Sequence, residues 1–124
     1  MLYEVYKEAW FSGAHHLRGY EGTCEAVHGH NWRVRASVGS DQLDDLGMVI
    51  DFKKLKQAMA ETCDKLDHKD LNATPPFDRI NPSAENIARF FYDELSPRID
   101  DDRVRITSVA VWESERSCAV YRPR

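Results

Sequence analysis

The sequence predicts an α+β fold in which a four-stranded antiparallel sheet carries two helices on one face. Three observations lead to this prediction. Segments that alternate apolar and polar residues lie toward both ends of the chain, segments with helical periodicity lie between them, and no strand-helix-strand unit repeats. Because parallel strands need long crossovers, neighbouring strands without a helix between them pair antiparallel. The expected order is strand, strand, helix, helix, strand, strand.

Length and composition indicate one domain over residues 1–124, with 42% apolar and 31% charged residues. The net charge of −4, with both signs interspersed, argues against a nucleic-acid partner. No apolar run approaches the roughly 20 residues of a membrane helix, and the N-terminus lacks the order of a signal peptide. We therefore expect a cytoplasmic protein without a membrane partner.

Four segments have the alternation of strands. Residues 2–12 and 28–38 form the first pair, joined by a connection over 13–27 that contains three glycines. Residues 103–113 are rich in β-branched side chains, and SCAVYR follows at 117–122 after a short turn. The chain is expected to end in a hairpin.

Two segments have helical periodicity. Residues 51–66 repeat apolar side chains at spacings of three and four, with Asp51 placed as N-cap. The second helix is expected to begin at Asn81 or Ser83 and to stop before Pro97. Its apolar face consists of Ile87, Phe90, Phe91 and Leu95.

A group of histidines suggests a metal site. His28 and His30 are two residues apart on a predicted strand, so both rings lie on one face and can reach one ion. His15 follows the first strand, and an antiparallel neighbour brings it beside them, whereas the adjacent His16 is expected to point away. Taken alone, the pair is equally consistent with a turn that contains two partly buried histidines.

The three cysteines cannot all pair within one chain, which argues against a disulfide framework. Cys24, four residues before His28, is either a fourth zinc ligand in a closed structural site or a reactive thiolate beside an open catalytic site. Spacing does not separate these two readings. Cys63 and Cys118 are expected to be packed small hydrophobic side chains.

Three further side chains are candidates for acid-base or binding chemistry. Asp67 and His68 stand at the predicted end of the first helix, where the carboxylate can orient the imidazole and raise its basicity. The alternative is a pair of solvated charges at a helix end. Glu113 is either a strand-end charge or, in a pocket, a carboxylate that grips an amidine-like NH pair.

Six motifs together resemble the 6-pyruvoyltetrahydropterin synthase family over nearly the whole chain. They are FSGAHHL at 11–17, CEAVHGHNW at 24–32, GMVIDFKKLK at 47–56, LDHKDLN at 66–72, NPSAENIA at 81–88 and VAVWES at 109–114. The short Cys-x-x-x-His-Gly-His spacing and the compact length resemble the bacterial 6-carboxy-5,6,7,8-tetrahydropterin synthase branch. That branch serves queuosine and other 7-deazapurine pathways.

The resemblance implies a role for each matched residue. His15, His28 and His30 match zinc ligands, Cys24, Asp67 and His68 match the proton-transfer group, and Glu113 matches the pterin anchor. Ser83 stands where the family often has a threonine near the pterin, and His16 where arginine is frequent. The groups that hold the triphosphate stay open among His16, Arg18 and lysines of a neighbouring subunit.

The resemblance also implies the tunnelling fold, assembled as a homohexamer of two stacked trimers with active sites between subunits. The implied reaction converts 7,8-dihydroneopterin triphosphate to 6-carboxy-5,6,7,8-tetrahydropterin with loss of acetaldehyde and triphosphate. Three alternatives are a 6-pyruvoyltetrahydropterin synthase, a structural zinc module, and a pterin-binding protein without catalysis.

Overall fold

A computed structural model of the protein describes residues 1–21 and 25–123. These residues form one sheet with strand order β3-β1-β2-β4-β5, two helices and a short 3-10 turn. In chain order the elements are β1 (Tyr3–His15), β2 (His28–Ser40), α1 (Phe52–Asp64), β3 (Lys69–Asp70), the 3-10 turn (Leu71–Ala73), α2 (Ala84–Ile99), β4 (Arg105–Ser114) and β5 (Ser117–Tyr121). None of the described helices is long and apolar enough to cross a membrane.

The prediction of an α+β fold with two helices is confirmed, but the predicted four-stranded antiparallel sheet and its element order are wrong. A fifth strand, β3, pairs in parallel with Gly13 and Ala14 of β1, so the sheet is mixed. A strand of two residues has no alternation of its own. It forms because the turn after α1 returns the chain to β1, where the His68 N–H donates to the Ser12 carbonyl at 2.6 Å.

The first two strands are longer than predicted and pair over their full length. Tyr3 lies opposite Ser40, and at the other end His15 lies opposite His28. One face of this ribbon is apolar, because successive side chains of a strand point to opposite sides. There the Phe11 ring stacks on Trp32 and on Phe91 of α2, with centroids 6.0 and 5.8 Å apart, so α2 covers this face.

The helix starts follow the capping rules, whereas both predicted helix ends are wrong, since α1 ends at Asp64 and not at residue 66. The Asp51 carboxylate accepts the Lys53 N–H, as expected for an N-cap, and Ser83 rather than Asn81 caps α2. α2 continues through Pro97 to Ile99 instead of stopping before the proline. Proline removes one helical hydrogen bond in this last turn. Burial of the Ile99 side chain there offsets that loss.

The opposite face of the sheet is polar and carries stacked cations. Arg33 lies over the Trp112 ring at 3.9 Å, and Arg35 lies over the Tyr6 ring at 4.0 Å. Glu8 accepts a hydrogen bond from the Arg35 guanidinium at 2.9 Å. These contacts order a face on which neither α1 nor α2 of the described residues packs, while the other face contains the core and the histidines.

Candidate metal centre

Three histidines meet where β1 ends and β2 begins. The register places His15 directly opposite His28, and His30 lies two residues further along β2 on the same face. Their ring centroids are 4.7 to 5.1 Å apart. One potential ligand atom from each histidine and one carboxylate oxygen of Glu113 all lie within 4.8 Å of one another, so this group can hold a metal ion.

Backbone carbonyls orient two of the three rings. His15 Nδ1 is 2.7 Å from the Pro82 carbonyl, and His28 Nδ1 is 2.9 Å from the Ala26 carbonyl. Because a carbonyl oxygen only accepts, Nδ1 must carry the proton in both rings. Each neutral ring then has its lone pair on Nε2, which is the arrangement that a metal ligand requires.

The remaining nitrogens are consistent with a metal. Nε2 of His15 and Nε2 of His30 are buried without a hydrogen-bond partner among the described residues. Glu113 Oε1 is 3.0 Å from His30 Nε2 and 3.6 Å from His15 Nε2, without hydrogen-bond geometry. Unpartnered buried nitrogens are costly, and imidazole and carboxylate ligands suit zinc. The residues therefore fit a metal ion.

Burial lowers the pKa of His30 below its usual value, and nearby His15 and His28 act in the same direction. The carboxylate of Glu113 opposes this change. The neutral form of the ring, which is the form that binds a metal, is therefore favoured.

Trp32 packs against two of the three histidines. Its side chain is fully buried, and its ring lies edge-on to His15 and to His30, with centroids 4.9 and 5.2 Å away. The indole N–H donates to the Gly13 carbonyl at 3.2 Å, which fixes the ring. Since Trp32 also stacks on Phe11, the histidines rest directly on the hydrophobic core.

Glu113 lies inside β4, one residue before the strand ends, and its side chain reaches the histidines from there. It shares the apolar face with Val109 and Val111, and the strand pairing is irregular between Trp112 and Ser114. Such an irregularity re-aims a side chain. The sequence singled out Glu113 but not its proximity to the histidines. Only the register between β2 and β4 shows that proximity, and no local pattern encodes the register.

Asp67 and His68 lie in the turn beyond α1, because the helix ends at Asp64, earlier than predicted. Asp67 Oδ1 accepts the Ser12 N–H at 2.8 Å, and Oδ2 lies 3.0 Å from His68 Nδ1. The hydrogen bond from the Ser12 N–H lowers the pKa of the Asp67 carboxyl, and the neighbouring His68 acts in the same direction. The pair is therefore an ordered carboxylate-imidazole unit.

His68 and one member of the histidine cluster, His30, line an open cavity of about 520 Å³. His30 lines one side of it and His68, which is 82% exposed, lines another. His68 also has a positive φ of 57°, an uncommon conformation that often marks functional sites. A molecule bound in this cavity can contact both His30 and His68.

The other predicted side chains have varied outcomes. Ser83 Oγ accepts the Asn86 N–H at 3.2 Å as the cap of α2. Cys24 lies outside the described residues.

Cys63 is buried as predicted, and burial raises the pKa of its thiol to about 12. Cys118 is exposed, so its predicted packing is wrong. It lies opposite Trp112 on the edge strand β5, and Trp112 belongs to the polar face of the sheet.

Comparison with known proteins identifies the family. A model of the family described as 6-pyruvoyl tetrahydropterin synthase matches residues 4–124. The chain belongs to the 6-pyruvoyl tetrahydropterin synthase family. The resemblance inferred from the six motifs is thereby confirmed.

Relatives within the 6-pyruvoyl tetrahydropterin synthase family carry two names. The chain is 33% identical over 129 residues to the 6-carboxy-5,6,7,8-tetrahydropterin synthase of Bacillus subtilis, with 98% of this chain and 86% of the relative covered. It is 35% identical over 103 residues to the 6-pyruvoyl tetrahydrobiopterin synthase of Dictyostelium discoideum, with 82% and 74% covered. Both similarities are consistent with a pterin-processing enzyme.

A solved structure shows that the fold is also shared. The 6-pyruvoyl tetrahydropterin synthase of Caenorhabditis elegans superposes with a TM-score of 0.82 over 98% of this chain and 96% of that one, at 22% identity. At this identity the similarity supports the fold alone.

Proposed function

We propose that this chain is a zinc-dependent 6-carboxy-5,6,7,8-tetrahydropterin synthase of queuosine and 7-deazapurine biosynthesis. Its substrate is 7,8-dihydroneopterin triphosphate, and the products are 6-carboxy-5,6,7,8-tetrahydropterin, acetaldehyde and triphosphate. One water balances the equation, and the ring is reduced as the side chain is oxidised, so no external redox partner is needed. The observation that carries the proposal is the cluster of three histidines at the cavity that His30 and His68 line; two of its Nε2 atoms have no hydrogen-bond partner among the described residues.

His15, His28 and His30 are the proposed zinc ligands. Three protein ligands leave open positions, as in catalytic zinc sites. Bound zinc supplies Lewis acidity, which acidifies the hydroxyls of the substrate side chain and polarises the developing carbonyl. The carbonyls of Pro82 and Ala26 direct the lone pairs of His15 and His28, so two of the three proposed ligands are oriented before any ion arrives.

Proton transfer is assigned to Cys24, Asp67 and His68. Cys24 acts as the base on the substrate side chain, an assignment that rests on the sequence because Cys24 lies outside the described residues. Asp67 holds His68 through the 3.0 Å contact between Oδ2 and Nδ1, and His68 makes the complementary transfers. The exposure of His68 toward the open cavity gives its other ring nitrogen access to substrate.

Glu113 and Ser83 are the proposed pterin contacts. Two carboxylate oxygens match the paired N–H groups of the pterin amidine edge, which one carboxylate binds through two charge-assisted hydrogen bonds. Glu113 lies beside the histidines, so a pterin held there presents its side chain to the metal. The Ser83 hydroxyl accepts a backbone N–H and keeps its own proton free to donate to the ligand.

A homohexamer of two stacked trimers with active sites between subunits completes the proposal. Within the described residues, β3 and β5 are the two edges of the sheet, and β5 has the exposed side chains of Cys118 and Val120. Pairing such edges with neighbouring copies removes open edges. The molar mass measured by light scattering on the zinc-loaded protein tests this part, because a monomer contradicts it.

A second candidate is a 6-pyruvoyltetrahydropterin synthase, which eliminates triphosphate but retains the three-carbon side chain. The 35% identity to the relative of that name in Dictyostelium favours it. The two reactions require the same zinc ligands and the same base, so the geometry described above supports both. The Bacillus relative, which covers more of the chain, favours the carboxy product.

The product decides between the candidates. Zinc-loaded protein is incubated with 7,8-dihydroneopterin triphosphate, and the product is identified by mass, beside a sample stripped by a chelator and one reloaded with zinc. We expect 6-carboxytetrahydropterin and acetaldehyde, lost on stripping and regained on reloading. A 6-pyruvoyl product establishes the second candidate. No turnover overturns both and leaves binding or structural roles.

A further inference from the structure

The chain beyond β1 is held by two asparagine side chains. Asn72 accepts the His16 N–H at 2.9 Å and donates to the His16 carbonyl at 3.0 Å. Asn81 makes the same pair of bonds with Arg18, at 2.9 and 3.0 Å. Each side-chain amide thus pairs with one residue as a neighbouring strand would, which continues the edge contacts of β1 past β3.

The Arg18 side chain fixes the loop that carries Asn81. Its Nη2 donates to the carbonyls of Phe77 and Ile80, both at 2.8 Å. Asn86 of α2 donates to the Asn81 carbonyl at 2.8 Å, which ties the same loop to the helix. Residues 77–81 are therefore held from the β1 side by Arg18 and from the α2 side by Asn86.

The residue after Asn81 contacts the histidine cluster. Pro82 is buried, and its carbonyl is the group that accepts His15 Nδ1–H at 2.7 Å. His15 is 1% exposed and has the unpartnered Nε2 that faces the other ligands. A shift of the Pro82 carbonyl therefore rotates the His15 ring and moves Nε2 relative to His28 and His30.

We propose that Arg18 and Asn81 are positioning residues for the metal, which act through the Pro82 carbonyl to orient His15. The inference rests on the proposed metal function of the cluster. It assigns Arg18 to the support of a ligand, whereas the sequence had left Arg18 among the candidates for triphosphate binding. Groups that support a metal ligand in this way commonly change metal affinity 10- to 100-fold when they are removed.

A matched pair of arginine variants tests the proposal. Arg18→Lys keeps the charge, but its shorter side chain and non-planar ammonium do not reproduce the position of Nη2 between the two carbonyls. Arg103→Lys is the control, because Arg103 holds loop carbonyls of Gln42 and Val49 in the same manner, at 3.0 and 2.8 Å, near the opposite end of the sheet. Each change removes an arginine that holds loop carbonyls, but only the loop held by Arg18 leads to His15.

The measurements are the zinc dissociation constant, obtained by competition with a chromophoric chelator, and the visible absorption spectrum of the cobalt-loaded protein. We expect zinc binding about 10- to 100-fold weaker in Arg18→Lys, with altered cobalt bands. Arg103→Lys should lower the Tm and keep zinc affinity within about two-fold, since its clamp is remote from the ligands.

Asn81→Ser provides a second variant, which tests the same link if Arg18→Lys does not fold. It removes the amide that pairs with Arg18 but leaves Pro82 in the sequence, and we expect weaker zinc binding here too. Wild-type affinity in the folded variants overturns the inference while the proposed zinc site stands. Equal losses in Arg18→Lys and Arg103→Lys also overturn it. Failure of the wild type to bind zinc overturns the metal function itself and the inference with it.

Discussion

The Asp67 carboxylate accepts the backbone N–H of Ser12 at 2.8 Å, across 55 residues of sequence. This bond and the parallel bond from His68 N–H to the Ser12 carbonyl fix the turn after α1 to β1. As a result the next side chain, His68, stands at the cavity that His30 also lines. The pair Asp67–His68 and the histidine cluster are thus both positioned by β1, the pair at the edge of the strand and the cluster at its end.

His68→Gly tests whether the imidazole acts in catalysis. Glycine accepts the positive φ of 57° without the roughly 1 kcal/mol that other residues lose there, which offsets its extra freedom in the unfolded chain. We expect the free energy of unfolding to change by less than about 1 kcal/mol. Turnover should fall about 10²- to 10⁴-fold with loss of proton transfer.

Denaturant unfolding and product formation are measured on the same preparation. Asp67→Asn serves as the companion variant, because it keeps the imidazole and removes the charge that orients it. An active His68→Gly protein with unchanged turnover would show that the ring is a solvated turn residue. A protein that loses zinc together with activity would place His68 in the metal site instead.

Cys24→Ala is expected to keep zinc and to lose turnover. The three histidines and Glu113 already form a ligand group without a thiol, so zinc affinity should stay within about three-fold. Removal of the proposed base should lower turnover about 10²- to 10⁴-fold. Metal analysis and product formation check the two parts. Cys118→Ala is the control, because its thiol is exposed on β5 and should be dispensable for both.

Zinc loss in Cys24→Ala has a definite meaning. It would identify the thiol as a fourth ligand, and a site closed by four protein ligands is typical of structural zinc. The structural alternative that the sequence left open would then be favoured over catalysis.

Glu113→Gln separates substrate anchoring from metal binding. Glutamine has the same shape but cannot accept two hydrogen bonds from an amidine edge, so kcat/KM should fall about 100-fold. Zinc affinity should remain within about three-fold, because the three histidines supply the proposed ligand set. Steady-state kinetics and chelator competition provide the readouts. Glu115→Gln, an exposed glutamate just beyond β4, is the matched control.

The reverse result for Glu113→Gln is equally informative. Its carboxylate lies 3.0 Å from His30 Nε2, close enough for both groups to share one ion. Zinc affinity reduced tenfold or more, with KM unchanged, would therefore make Glu113 a ligand and leave the pterin without its assigned anchor.

Local periodicity predicted the parts of the site that lie on single strands. Alternation placed His28, His30 and Trp32 on one face, and the antiparallel pairing of consecutive strands placed His15 near them. The helix caps at Asp51 and Ser83 follow from the chemistry of side-chain oxygens at helix starts. These features depend on residues a few positions apart, which is the range that a sequence pattern covers.

Features that depend on distant residues were not visible in the sequence. β3 exists because the turn after α1 meets β1, and Glu113 joins the histidines because of the register between β2 and β4. The link from Arg18 through Pro82 to His15 likewise joins a strand end to a loop more than 60 residues away. Neither propensity nor spacing encodes such contacts, so the sequence predicted that the histidines lie close together but not which groups hold them there.

Two aspartates lie at the end of the sheet opposite the histidines. Their hydrogen bonds lead us to expect a loss of stability in acid. Asp44 Oδ1 accepts the N–H groups of Leu46 and Met48, both at 2.9 Å. Asp101 Oδ1 accepts the N–H of Val104 and of the residue before it, both at 2.8 Å. These bonds, led by those from Met48 and Val104, hold the pKa of each carboxyl below its usual value.

A carboxyl group whose pKa is lower in the folded than in the unfolded state stabilises the fold above the unfolded pKa of about 4. That contribution is lost as the pH falls through the lower, folded pKa. We therefore expect the free energy of unfolding of the wild type to fall as the pH drops below about 4, and that of the double variant Asp44→Asn/Asp101→Asn to fall less steeply. Denaturant unfolding at each pH, with a chelator present so that zinc release does not contribute, provides the measurement.

Asp45→Asn is the control for charge alone. Asp45 is exposed and, among the described residues, accepts no such pair of backbone hydrogen bonds, so its variant should keep the wild-type slope. An equal slope in the double variant and the wild type would assign the acid sensitivity to other groups. The two loops meet at Arg103, which donates to the Gln42 and Val49 carbonyls. Protonation of either aspartate should therefore loosen this end of the sheet.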